Sequence, residues 1–180
     1  MELTQAYLKE CLDYDPLTGA FTWKHRPSCS KQRNTRFAGK EAGCTYRKKR
    51  KDGYTVRLIG VDYTMYLASR LAWLYMTGAW PKAQIDHINH DSADNRFANL
   101  REVDNVENHK NRPRQNNNSS GVTGVAWHKR DGCWRVHITV GGKHISGGYF
   151  KSFEEAVAKR KELEAQYNFH VNHGAEKIAA

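Results

Sequence analysis

The sequence predicts an α+β protein: a β-rich N-terminal segment, a central strand, loop, strand and helix, and a small three-stranded antiparallel sheet packed on one helix. Three observations carry this reading. CWRVHITV (133–140) alternates with period two, placing Trp134, Val136, Ile138 and Val140 on one face and Arg135, His137 and Thr139 on the other. SFEEAVAKRKELEAQY (152–167) opens with Ser152 and Glu155 in capping-box positions and carries Phe153, Val157 and Leu163 on one helical stripe. IDHINHDSADNRFANL (85–100) sets a polar loop between two short strand-like runs.

Taken in order, YDPLTGAFTW (14–23) places a Pro/Gly turn before a strand-like run. RKKRKDGYTVRLIGVDYTMYL (47–67) sets Asp52-Gly53 after a basic stretch and Gly60 between two apolar runs, which suggests a hairpin. The basic run 47–51 reads equally as a solvated charge cluster or as a phosphate-contacting patch. MYLASRLAWLYMTG (65–78) has Leu67, Leu71, Leu74 and Tyr75 at helical spacing and stops at Gly78, so a short buried helix is expected.

In the central unit, NLREV (99–103) reads as a second strand. Asp104 and Glu107 then open a helix that carries Asn108. RPRQNNNSSG (112–121) cannot bury apolar surface and reads as a linker. The expected domains are therefore 1–112 with a core at 83–112, a linker at 113–120, and a small domain at 121–173. In the last, GVTGVAW (121–127) and KHISGGYF (143–150) flank the central strand through the turns Asp131-Gly132 and Gly141-Gly142.

Composition narrows the function. The chain carries 29 Lys+Arg against 19 Asp+Glu, a formal charge of +10, which points to a polyanionic partner. Mean hydropathy is −0.82, and no apolar run approaches the ~18 residues of a membrane span, so no membrane partner is expected. The N-terminal residues do not read as a signal peptide, which leads to an expected cytoplasmic location. Cys11, Cys29, Cys44 and Cys133 lack zinc-site spacing and read as reduced thiols.

The polar cluster carries the chemistry. Carboxylate and carboxamide oxygens are hard ligands suited to Mg²⁺ or Mn²⁺, and a neutral imidazole beside them is able to take a proton from water attacking phosphorus. In a regular strand Asp86 and His87 point to opposite faces, so both serve one site only if the strand bends at its end.

This stretch resembles the HNH endonucleases of the ββα-metal fold, in the homing type found in phage, firmly over 85–112 and more loosely before it. In that family an Asp-His pair ends the first strand, an Asn precedes the second, and an Asn or His on the helix completes the metal site. The resemblance implies Asp86 as metal ligand, His87 as general base, Asn99 as the residue holding the loop that carries the base, and Asn108 as second ligand, with His109 as its alternative. Ser69 stands where relatives often carry His. The implied activity is metal-dependent, site-specific hydrolysis of double-stranded DNA with one divalent cation, Mg²⁺ or Mn²⁺. A monomer nicking one strand per event is the simplest form, and the cytoplasm would be that of a bacterial host if the chain is phage-encoded.

The C-terminal pattern, with Gly121, Val122, Gly124, Val125, Trp127, Trp134, Tyr149, Phe150 and the helix start at Phe153, resembles the AP2 DNA-binding domain. That resemblance implies a sheet in the major groove, with Lys129, Arg130, Arg135, His137 and Thr139 facing DNA. The alternative is a non-catalytic, sequence-specific DNA-binding regulator with a relic HNH segment, which loss of Asp86 or His87 would favour. Both are present. An RNA-directed role is weaker, because A-form RNA hides its major groove.

Overall fold

The computed structural model describes residues 3–47, 55–115 and 117–175. They form two compact units, one running through Val103 and one beginning at Asp104.

In the first unit, Thr4 caps α1 (Gln5–Cys11) by accepting from the Tyr7 N–H, and the helix buries Leu8 and Cys11. Strands β1 (Leu12–Tyr14) and β2 (Phe21–Trp23) pair antiparallel across the Asp15–Gly19 turn. The exposed helix α2 (Lys31–Phe37) follows. The N-terminal segment thus contains two helices that its β-rich texture did not suggest. Each has seven residues, too few turns for an apolar period to stand out.

Strands β3 (Cys44–Arg47), β4 (Thr55–Val61) and β5 (Thr64–Leu67) form an antiparallel sheet with β4 in the middle. The turn joining β4 to β5 is Asp62-Tyr63, with φ of 45° and 66°, so both residues adopt the left-handed conformation of a tight hairpin. Gly60 therefore lies inside β4, opposite Met65, and not at a turn. The Asp52-Gly53 turn and all of the 47–51 basic run except Arg47 fall outside the described residues.

Helix α3 (Ala68–Thr77) ends on Gly78, whose φ of 83° lets its N–H reach the Leu74 carbonyl. It packs Leu71 and Leu74 into a core with Leu8, Leu12, Phe21 and Ile59. Strands β6 (Gln84–His87) and β7 (Leu100–Val103) close the unit as an antiparallel pair.

The second unit opens with α4 (Asn105–Lys110), capped by Asp104, whose carboxylate accepts from the Glu107 N–H. The stretch 113–120, expected as a linker, lies within this unit. Around it, Lys110 accepts from the His170 N–H, Arg112 accepts from the Gly174 N–H, and the Arg114 N–H donates to Ala175. Strands β8 (Val125–His128), β9 (Cys133–Val140) and β10 (Lys143–Phe150) form the antiparallel sheet, with β9 central. The first strand is shorter than the 121–127 expected, because Gly121 and Gly124 adopt φ near +80° and turn the chain before Val125.

Helix α5 (Phe153–Gln166) starts at Ser152, whose hydroxyl accepts from the Glu154 and Glu155 amides. Its buried stripe is Ala156, Arg160, Leu163 and Glu164, with Phe153 packed beside it. That face is rotated from the expected Phe153–Val157–Leu163 stripe because it accommodates a buried ion pair, Arg160 Nε to Glu164 Oε1 at 2.9 Å. Val125, Val136 and Ile138 supply the sheet side of this core. Among the described residues, no helix is long and apolar enough to cross a membrane.

Candidate active site

The β6–β7 pair sets Asp86 opposite Arg101 and His87 opposite Leu100. Adjacent residues on a strand face opposite ways, and their environments differ accordingly. His87 is buried, whereas Asp86 lies half-buried with its Oδ2 in the fork of Arg101, 3.0 Å from Nε and 2.8 Å from Nη2. Such a forked, charge-assisted pair sets the carboxylate rotamer.

The loop after His87 is built from carboxamides and carboxylates that substitute for backbone partners. Asn89 Oδ1 accepts from the Asp91 N–H, Asp91 Oδ1 accepts from the Ala93 N–H, and Asp94 Oδ1 accepts from the Arg96 N–H. His90 takes the left-handed conformation, with φ of 66°, and its N–H closes a turn onto the His87 carbonyl.

Asn99 holds both ends of this loop. Its Oδ1 accepts from the Asn89 N–H at 3.0 Å, its Nδ2 donates to the Asp94 carbonyl at 2.8 Å, and its own carbonyl accepts from the Ile88 N–H at 3.0 Å. The residue is 8% exposed, so these bonds replace water rather than compete with it.

His87 faces Asn95, a residue that sequence reasoning passed over. The Asn95 Nδ2 donates to the Ala93 carbonyl, which turns its Oδ1 toward His87 Nε2 at 3.4 Å. An acceptor there favours the tautomer with the proton on Nε2, leaving the lone pair on Nδ1. Burial lowers the His87 pKa below its ordinary value, against the opposing pull of the Asn95 bond and of Asp86, Asp91 and Asp94. The ring is therefore neutral at pH 7.

The N-terminal hairpin supports this corner. The Tyr14 hydroxyl donates to the Asn95 carbonyl at 2.7 Å, and the Phe97 N–H donates to the Pro16 carbonyl at 3.2 Å. The Ser92 hydroxyl donates to the Thr55 carbonyl on β4.

The structure thus brings Asp86, His87 and Asn99 together in the first unit, while Asn108 and His109 stand on α4 in the second. Among the described residues, no three His, Cys, Asp or Glu side chains are grouped to hold a metal. The oxygen donor of Asp86 beside a neutral imidazole fits a hard cation and not zinc.

In the second unit, Arg135, His137 and Thr139 alternate with the core residues Val136 and Ile138 on β9 and share its other face. Cross-strand partners extend that face: Tyr149 lies opposite Arg135, and His144 lies opposite Thr139 with its Nδ1 3.0 Å from the hydroxyl. Lys129 and Arg130 are exposed on the turn between β8 and β9.

Residues 66–110, a quarter of the chain, match the family model described as HNH endonuclease, which spans β6, the polar loop, β7 and α4. This match supports an HNH nuclease acting on DNA. Neither a curated protein nor a solved structure matches the chain.

Proposed function

We propose that the chain is a metal-dependent, site-specific DNA endonuclease of the HNH homing type. The observation that carries this reading is His87: a buried, neutral imidazole, oriented by Asn95, on a loop clamped by Asn99, and next in the chain to a carboxylate. His87 Nδ1 takes a proton from the attacking water as the new O–P bond forms and the bond to the leaving oxygen breaks. Asp86 and Asn108 hold the divalent cation, Mg²⁺ or Mn²⁺, with His109 as the alternative to Asn108. When bound, the cation supplies polarisation of the phosphate and neutralises charge on the leaving oxygen. Arg101 keeps the Asp86 carboxylate in one orientation.

A monomer cutting one strand per event, in the cytoplasm, is the simplest form of this activity. The test is a plasmid cleavage assay. Relaxation of supercoiled DNA is expected with Mg²⁺ or Mn²⁺ and none in EDTA. Undiminished cutting in chelator would overturn the metal assignment, and intact plasmid under all conditions with retained binding would favour the regulator.

The free face of the C-terminal sheet is the base-reading surface in this proposal, an AP2-like use of Arg135, His137 and Thr139, with Lys129 and Arg130 beside them on phosphates. Arg135→Ala is expected to cost about 1–3 kcal/mol at the base pair it reads. Cleavage-site maps of the two proteins check it: an unchanged map removes Arg135 from base readout.

A further inference from the structure

The second unit contains a cavity of about 510 Å³, within the ~300–1,000 Å³ of small-molecule sites. It lies along β9 beyond the end of β8. The two strands pair from Cys133 to Val136, and a last bond joins the His137 N–H to the Gly124 carbonyl. From there Thr139 and Val140 line the open space.

The lining is one-sided in charge. Lys110, Arg112, His137 and Arg160 contribute to it, and no Asp or Glu does among the described residues. Arg160 is 2% exposed and held on three sides, by Glu164, by the His137 carbonyl at 2.6 Å, and by His173 Nε2 at 3.1 Å. It is a fixed cation that needs no reorganisation to meet an anion.

Two polar atoms at this site, Thr123 Oγ1 and His137 Nδ1, are buried without a hydrogen-bond partner among the described residues. Buried polar atoms are normally paired, so orphans lining a cavity mark where a ligand's acceptors belong. The His137 ring is held below its ordinary pKa by burial first, then by Arg135, Arg160 and His144, which is the signature of uncompensated positive potential.

We infer that this cavity binds a phosphate-bearing ligand, with Thr123 and His137 donating to the phosphate oxygens and Arg112 and Arg160 neutralising its charge. Phosphate suits the site because it presents several acceptor oxygens to donors converging from different elements. The phosphate has two possible sources, a free nucleotide or the strand of a bound nucleic acid. The inference stands apart from the nuclease reading, since none of these four residues belongs to the proposed cleavage chemistry.

The experiment is an NMR titration of the full-length protein in EDTA, following the His137 ring and the Thr123 amide. The probes are inorganic phosphate, adenosine 5′-monophosphate and a short DNA duplex, with chloride at matched ionic strength as the control. Phosphate is expected to shift both signals saturably. Arg112→Gln and the near-isosteric Thr123→Val should each weaken binding by about fivefold or more, the loss of one charged or hydrogen-bonding partner. Displacement of the duplex from these residues by phosphate assigns the site to a strand phosphate. Saturation by the mononucleotide, with the duplex leaving both signals unmoved, assigns it to a free nucleotide. Absence of shifts, shifts that chloride reproduces, or equal affinity in both variants overturns the proposal. Arg112 is exposed, so its variant is expected to fold whatever becomes of Thr123→Val.

Discussion

His87→Ala is expected to slow DNA cleavage by about 10²–10⁴-fold, the usual contribution of a general base, while DNA binding in EDTA stays within a few-fold of wild type. The rate falls because the imidazole is the proton acceptor nearest the Asp86 carboxylate along the chain, and alanine offers no replacement. Binding survives because phosphate contacts depend on the Lys and Arg complement of the surface, which the substitution leaves intact. Single-turnover cleavage and fluorescence anisotropy separate the two quantities. A cleavage rate within a few-fold of wild type would remove His87 from the role of base. The loop itself is expected to persist, since the Asn99 bonds to Asn89, Asp94 and Ile88 do not pass through the imidazole.

Gly19→Ala is expected to destabilise the first unit by about 2–5 kcal/mol, combining left-handed backbone strain with overpacking. At Gly19, with φ of +76°, an added Cβ would stand 2.5 Å from both the Arg96 nitrogen and the Asn95 carbonyl carbon. Those are backbone atoms and cannot swing aside, so the hairpin must part from the loop whose Asn95 orients His87. Gly39→Ala isolates the contact, because Gly39 has the same φ of +76° and nothing within 4 Å of its would-be Cβ. Its cost should be confined to the strain of about 1 kcal/mol or slightly more. Urea denaturation of both variants checks the difference, and equal midpoints would show that the hairpin does not brace the loop. Cleavage should fall with Gly19→Ala and hold with Gly39→Ala.

Where a pattern repeats over several residues, the sequence reads correctly. The alternation of 133–140 is β9 with the expected core face, and Leu71, Leu74 and Gly78 mark the packing and the end of α3. Short elements escape this logic. In α1, Leu8 and Cys11 are the buried pair, and a single pair of positions defines no period. The rotated stripe of α5 has another cause: Arg160 and Glu164 are residue types that a hydrophobic period counts as solvent-facing, yet each neutralises the other inside.

For the site, the order and spacing of Asp86, His87, Asn99 and Asn108 are legible because they sit on one continuous stretch whose local elements follow from strand and cap signals. Asn95 and Arg101 lie in the same stretch and were not picked out. Their importance depends on strand register and on which way a side-chain amide turns, and neither is written in residue type.

The sequence by itself determined the element types, the basic balance of the chain and the chemical character of the cluster: hard oxygen donors beside an imidazole. Those properties are local, carried by period, capping residues and composition. The tertiary structure alone decided that His87 is buried and neutral, that Arg101 takes the Asp86 carboxylate, that the Tyr14–Gly19 hairpin braces Asn95, and that Arg160 stands fixed at a cavity without acids. Each of these is a contact between residues distant along the chain, and patterning encodes which face is buried but not what covers it.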